Sequence, residues 1–204
     1  MKIRREFSVL LVMLSLILAL LPLTANRSFT SNKPANLLDE VLDDEASFTA
    51  DQVAGFIVRE DPAFHLIDLR SAEEFRQQAL PGAFNVPYEE FMRSDPDIWL
   101  SNEKIRTIFY SAGDLEADYA LVYARGLGYE NSYVLAGGIT EWIRTVIDTK
   151  FAGERITARE NAMFEIRKRA GEMFTELNSL PDSLKLKYME SKKFSAKKLD
   201  GGCE

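Results

Sequence analysis

Residues 107–142 read TIFYSAGDLEADYALVYARGLGYENSYVLAGGITEW, and the order of segments in them decides the fold. "TIFYS" is a short run of apolar, aromatic and β-branched residues, the texture of a buried strand. In "EADYALVYARGL", Ala120, Leu121, Ala124 and Leu127 fall on one side of a helix, and Gly128 is placed to end it. "NSYVLAGG" is a second strand that leaves into a glycine pair, and "ITEWIRTVI" is a second helix. Strands alternating with helices at this spacing predict a parallel sheet with helices on both faces. The loop after the first strand, "SAGDLE", sits where a nucleophile and an anion cradle are expected, yet it holds no cysteine, arginine or lysine.

The same alternation continues toward the N-terminus. "TADQVAGFIVRE" opens with Thr49 and Gln52 at capping-box spacing, and Val53, Phe56 and Ile57 share a face. "AFHLIDLR" is a buried strand by length and content, and His65 is a position within it. "SAEEFRQQ" repeats the capping box with Ser71 and Glu74; "LPGAFNVP" carries the turn pair Pro81-Gly82 and a very short strand; "YEEFMRS" suggests one or two helical turns. Trp99 reads equally as core or as an exposed anchor. The connections are too short for a dinucleotide unit, and "AGG" is not G-x-G-x-x-G.

Toward the C-terminus, "TARENAMFEIRKRAGEMFTEL" begins with a third capping box, Thr157 and Glu160. Met163, Ile166, Ala170, Met173 and Leu177 form a narrow apolar seam. The seam lasts about two heptads, so packing back on its own domain is favoured over pairing with a second chain. "LPDS" breaks the helix, and the lysine-rich remainder reads as a solvated end.

At the other end, "MKIRREF" is basic and "FSVLLVMLSLILALLPLTA" runs uncharged from Phe7 to Ala25, close to the ~20 residues that span a bilayer. A cleaved secretory signal and a retained anchor both fit; the length of the run and Leu23, a poor residue before a cut at Ala25, favour the anchor. Either way Lys2, Arg4 and Arg5 stay inside and the rest is expected to be exported: periplasmic if bacterial, secreted if cleaved. The expected organisation is a signal or anchor over 1–25, an acidic linker over 26–47, an α/β domain over 48–148, an amphipathic helix over 149–180 and a basic flexible tail over 181–204.

The 204 residues carry a net charge of −7 with pI near 5.0, which argues against nucleic acid as a partner. Cys203 is the only cysteine and His65 the only histidine, so an intramolecular disulfide and a cysteine cluster for zinc are excluded. No EF-hand spacing or phosphate-binding loop pattern is present; no metal or cofactor is expected.

Three segments together, "FHLIDLRSAEEFRQQALPGAFNVP", "IRTIFYS" and "LVYARGLGYENSYVLAGGITEW", resemble the rhodanese-like family over roughly Thr49 to Ile147. The resemblance implies a small α/β domain with a central parallel sheet. It implies sulfur transfer through a cysteine at the end of a strand, beside a loop of pattern C-R-x-G-x-R. Laid on that loop without a gap, Ser111 takes the cysteine position, Ala112 the first arginine, Asp114 the glycine and Glu116 the last arginine, with Gly113 and Leu115 between them. The other matched residues are Asp68, Arg70, Pro81, Gly82, Gly137, Gly138 and Trp142; Asp68 and Arg70 are expected to fix loops around the pocket, and Trp142 to lie in the core.

Serine forms no persulfide and is a poor nucleophile without an adjacent base. An acid about 6 Å from an anionic substrate repels it by roughly 3 kcal/mol at an effective dielectric of about 20. Asp114, Glu116 and Asp118 would instead favour the dipole of the helix they open. No catalytic residue is therefore expected, and the domain reads as a membrane-tethered binding or scaffold module for an unknown protein. The alternative is a sulfur carrier or sulfurtransferase-related enzyme that uses Cys203 or a partner's thiol. Self-association through Cys203 or the 157–178 helix is a further expectation.

Overall fold

The computed structural model describes Met13, residues 46–150 and residues 157–188. Cys203 and, apart from Met13, the expected N-terminal hydrophobic helix lie outside the described residues. The chain divides into two units, Met1–Thr30 and Ser31–Glu204, and the sheet and its helices all belong to the second. Among the described residues no helix is long and apolar enough to cross a membrane.

In chain order the elements are β1 (Ser47–Phe48), α1 (Ala50–Arg59), β2 (Phe64–Asp68), α2 (Ala72–Gln77), β3 (Ala83–Asn85), α3 (Tyr88–Arg93), α4 (Asp97–Leu100), β4 (Arg106–Tyr110), α5 (Leu115–Gly126), β5 (Ser132–Leu135), α6 (Gly138–Trp142), a π turn (Ile143–Ile147) and α7 (Ala158–Ser179). The five strands form one parallel sheet in the order β1-β5-β4-β2-β3. All three capping boxes form, each with its serine or threonine accepting from the backbone three residues on. They fix where α1, α2 and α7 begin by satisfying donors that a helix start leaves open.

Successive strand residues point to opposite faces of a sheet, and this alternation divides the core in two. Leu66, Ile108 and Leu135 face a cluster completed by α1, α6 and α7. Ile67, Phe109 and Val134 face a second cluster completed by α3, α4 and α5. Along α5 the buried residues are Ala117, Ala120, Leu121 and Ala124, with Leu127 only partly covered; Gly128, at φ +92°, follows its end.

Helix α7 belongs to the first core. Ala170, Phe174 and Leu177 are buried, and Met163, Ile166 and Met173 partly so. Arg167 grips Asp51 at the start of α1 through two hydrogen bonds of 2.6 and 2.7 Å. The Asn178 amide accepts from the Ala79 N–H at 2.9 Å and donates to the Ala79 carbonyl at 3.0 Å, as a strand neighbour would. From Ile166 to Leu177 the seam expected as a route to self-association is thus packed on the chain's own domain.

Residues 182–188, assigned in sequence to the flexible tail, are helical. Lys185 is 2% exposed there and donates to the Arg76 carbonyl at 2.8 Å and to Asn178 Oδ1 at 2.6 Å. A lysine-rich run reads as solvated; here two fixed oxygens draw one lysine inward, which composition does not reveal. The single helix expected for "ITEWIRTVI" likewise opens into a π turn after Trp142.

Candidate functional site

In open α/β sheets ligands bind outside the carboxyl ends of the strands. Here those ends lead into residues 69–71, 86–87, 111–114 and 136–137, and the sequence-selected residues gather around them. Asp68 ends β2 and is fully buried. Its carboxylate accepts from Arg70 three times: from the backbone N–H at 2.9 Å, from Nε at 3.0 Å and from Nη2 at 2.5 Å. Arg70 Nη2 also donates to the Gln78 carbonyl at 2.7 Å, and Asn85 Nδ2 donates to the Asp68 and Arg70 carbonyls. Burial pulls the Arg70 guanidinium down, but the bonds and charge of Asp68 more than offset this and hold it above its ordinary value. The pair therefore shapes the loop before Pro81 and Gly82 and is turned inward, with its charge neutralised.

Tyr110 ends β4 and has no exposed surface. Its hydroxyl accepts from the Leu80 N–H at 3.3 Å, and burial, then Asp68, pushes the phenol well above its usual range. Ser111 follows and is 3% exposed. Its Oγ–H donates to Glu116 Oε2, while its carbonyl accepts from the Ile139 N–H at 2.9 Å. Asp114 Oδ1 accepts from the Gly137 N–H, and the Ala112 carbonyl accepts from Thr140 Oγ1 at 2.6 Å.

These bonds revise the expectation for the acids. Asp114 stands at the start of α5 but makes no side-chain cap to it; its carboxylate crosses to the loop after β5. Glu116 turns back onto Ser111. The two carboxylates thus tie the 111–116 loop to itself and to Gly137, because a neighbouring N–H and hydroxyl are closer partners than a helix dipole. Sequence spacing within α5 could not show this, since Gly137 becomes a neighbour only through the pairing of β4 with β5.

The one histidine of the chain is too far from Ser111 to serve it as a base, and the carboxylate that Ser111 meets is that of Glu116. His65 pairs with Thr107, four residues before Ser111 along β4, which places the imidazole about 13 Å away at ~3.3 Å per residue. The His65 ring instead meets Phe84 edge-on at 5.5 Å. Trp142 is fully buried against Phe174, and Trp99 is half-buried beside the second core. Gly137 and Gly138 have φ of +72° and +59°, and Gly138 lies against the loop backbone. Cys203 lies outside the described residues.

Burial, then the charge of Asp114, raises the Asp118 carboxyl above its ordinary 3.8. A carboxyl harder to ionise in the folded chain than in the unfolded one subtracts stability when ionised. The deficit is full above the folded value and vanishes below 3.8, where both states are protonated. Asp118→Asn is therefore expected to raise the melting temperature at pH 7, with the gain shrinking as the pH falls to that value. Melts of both chains over this range check it; a pH-independent gain would remove the electrostatic cause.

Residues 49–145, a little under half of the chain, match the family model described as Rhodanese-like domain. The mitochondrial thiosulfate sulfurtransferase RDL2 of Saccharomyces cerevisiae is 29% identical over 47% of this chain and 71% of its own length. The tRNA uridine(34) hydroxylase of Erwinia tasmaniensis is 26% identical over 49% of this chain and 31% of its own. A second hydroxylase of that name, from Hamiltonella defensa, is matched over 25% of its length, so the chain spans a third or less of these bacterial relatives. The crystal structure of the yeast single-domain sulfurtransferase RDL2 aligns with a TM-score of 0.41 at 25% identity, over 48% of this chain and 88% of that one.

Proposed function

Because residues 49–145 form a rhodanese-like domain, we propose that the chain uses it to bind a partner protein, as an exported, membrane-tethered module without sulfurtransferase activity. One observation carries the reading: Ser111 stands at the family's cysteine position, buried, with its hydroxyl engaged by Glu116. Sulfur transfer needs a thiolate whose charge is stabilised by its surroundings, and this loop offers a hydroxyl beside a carboxylate. The acids that would repel an anionic donor are held in place by bonds to Ser111 and Gly137. Export and tethering rest on the uncharged run Phe7–Ala25 behind a basic start. A tRNA substrate, as named for the bacterial relatives, is disfavoured by a net charge of −7.

The test is formation of thiocyanate from thiosulfate and cyanide by the purified full chain. Wild type is expected at the level of a heat-killed control. Ser111→Cys alone is expected to stay there, since Glu116 would oppose the thiolate. Ser111→Cys with Glu116→Arg is expected to rise above it. Wild-type turnover that survives Cys203→Ser would overturn the reading; turnover lost with Cys203 would favour the sulfur-carrier alternative.

A further inference from the structure

The outer face of α5 is of the wrong kind for solvent. The buried residues of this helix are Ala117, Ala120, Leu121 and Ala124. At 100° per residue, the line opposite them runs through Leu115, Tyr119, Val122 and Gly126. A surface helix carries polar and charged residues on that side, yet none of these four is charged. Leu115 is 65% exposed and Tyr119 54%, while Val122 and Gly126 are partly covered. One exposed leucine is ordinary; a whole outward line without charge is not. Among the described residues nothing calls for glycine at 126. Gly126 closes the last helical turn, it is not one of the glycines at positive φ, and Gly128 follows with φ +92° at the helix end. Glycine is, after proline, the least favourable residue in a helix. A Cβ added at 126 would meet nothing within 4 Å. The line thus has a large side chain standing out at one end and an open, shallow seat at the other.

The spacing selects what covers this line. Residues 115 and 126 share a midpoint with residues 119 and 122, between Ala120 and Leu121. A second α5 laid antiparallel across that midpoint sets Leu115 over Gly126 and Tyr119 against Val122, and does so twice, as a two-fold interface requires. Charge agrees with this direction. Asp118 and Arg125 lie on the same flank of the line, and the Arg125 Nε is held in place by the Ser132 carbonyl at 3.1 Å. Reversal brings Arg125 of one copy within two residues' rise, about 3 Å, of Asp118 of the other. A parallel pair would instead bring the acids of both copies together. Tyrosine and aliphatic side chains at the centre with charge kept to the rim is also the composition of a protein interface. A partner of another sequence needs neither the shared midpoint nor the glycine. The 12 residues of α5 span about 18 Å. The contact therefore falls at the low end of specific interfaces, about 1,200 Å² or less in total, and the pair is expected to be reversible, with Kd about micromolar or weaker.

We propose that α5 pairs with α5 of a second copy of this chain, antiparallel about a two-fold axis between Ala120 and Leu121, with Leu115 of each copy seated over Gly126 of the other. The surface is distinct from the C-terminal helix and from Cys203. The pairing needs nothing from the chemistry at Ser111, so the thiocyanate assay and the association measured below can fail separately.

The experiment is sedimentation equilibrium of the full chain in density-matched detergent over a range of protein concentrations. Cys203→Ser is the common background, which removes crosslinking through the thiol. All variants share residues 7–25, so differences between them isolate α5. The expected result is a reversible monomer–dimer equilibrium. Gly126→Leu fills the seat that Leu115 of the other copy occupies and is expected to weaken association about tenfold or more. Its melting temperature as a monomer should hold or rise, since leucine is the better helix former and the added Cβ meets nothing. Those opposite signs separate a lost contact from a lost fold. Adding Leu115→Ala to Gly126→Leu makes room again and should restore association. Tyr119→Glu, which brings a charge into the seam from each copy, should abolish it. A chain that stays monomeric at every concentration overturns the proposal. So does a dimer that Gly126→Leu and Tyr119→Glu leave unchanged, which would assign the association to another surface. Failure of Leu115→Ala to rescue Gly126→Leu would overturn the seating of Leu115 over Gly126.

Discussion

Phe174→Ala is expected to lower the free energy of unfolding by about 3–5 kcal/mol and the melting temperature by about 10 °C or more. Phe174 lies outside the residues that match the rhodanese-like family. The size of the effect follows from where its ring sits. The side chain is 5% exposed, and its centroid is 5.0 Å from that of Trp142, which is fully buried. Both rings lie in one cluster with Ile57, Leu66, Leu80 and Val146. Truncation at 174 therefore opens a cavity against the largest side chain of that core, and close-packed interiors collapse only partly around such gaps. A domain stable by about 5–15 kcal/mol overall loses a large share. Denaturant unfolding of the two chains measures it, and Met163→Ala, where the side chain is only partly buried, is the comparison expected to cost about 1 kcal/mol or less. If Phe174→Ala costs no more than Met163→Ala, α7 is an appendage. The expected outcome makes it the wall of the first core, and a chain ended at the family boundary would leave Trp142 uncovered.

That dependence is partly legible in the residues. The seam of α7 has helical spacing, and the capping box at Thr157 marks its start, so a helix packed on the domain follows from sequence. Which member of the helix matters most does not. Phe174 lies between Met173 and Leu177 in sequence, and only the placement of Trp142 selects it. Strands β2, β4 and β5 are readable because each is an apolar run of strand length between turn or charge signals. Strand β1 is not, since two residues have no period. It exists because Ser47 and Phe48 pair with Val134 and Leu135, and because the Phe48 ring meets Phe56 edge-on at 5.3 Å and Tyr133 at a tilt at 4.9 Å. The π turn at Ile143–Ile147 keeps the apolar spacing of an ordinary helix, so its widening leaves no mark in the residues.

The candidate site divides the same way. The identity and order of Ser111, Asp114 and Glu116 are sequence facts, and they suffice to remove the thiol and to reverse the charge of the loop. What the carboxylates do there is a tertiary fact. Local reasoning assigns an acid in a first turn to the helix dipole, which is worth about 0.3–1 kcal/mol. A carboxylate accepting a hydrogen bond from a fixed N–H or O–H is worth about 1.5–3 kcal/mol, so the stronger local partner wins once the fold supplies it. Gly137 and Ser111 are those partners. Beneath them the chain of Asn178, Ala79, Leu80 and Tyr110 joins the C-terminal helix to the last residue before the loop through successive hydrogen bonds and covalent neighbours. The loop is thus tied both to Gly137 and, through Tyr110, to the C-terminal helix.

Gly138→Ala tests how closely that loop is held, and Gly82→Ala separates the two causes involved. Both glycines have positive φ, +59° and +80°, a region in which a side chain costs about 1–2 kcal/mol. A Cβ on Gly82 meets nothing within 4 Å, so Gly82→Ala is expected to cost that strain alone. A Cβ on Gly138 would stand 2.5 Å from the Ser111 carbonyl oxygen, 2.8 Å from that of Gly113 and 3.0 Å from the Ala112 carbonyl carbon. All three are backbone atoms, which cannot rotate away as the end of a side chain can. The loop would have to retreat, loosening the bond from the Ile139 N–H to Ser111 and that from Thr140 Oγ1 to Ala112. Overpacking of this kind adds about 1–3 kcal/mol, so Gly138→Ala is expected to cost about 3 kcal/mol or more. Amide exchange should rise across 111–116 in this variant and stay unchanged there in Gly82→Ala. Equal losses in the two variants, with the loop amides undisturbed in both, would mean that the close approach of Gly138 does not hold the loop. The Ser111–Glu116 contact would then have to keep its geometry without that support.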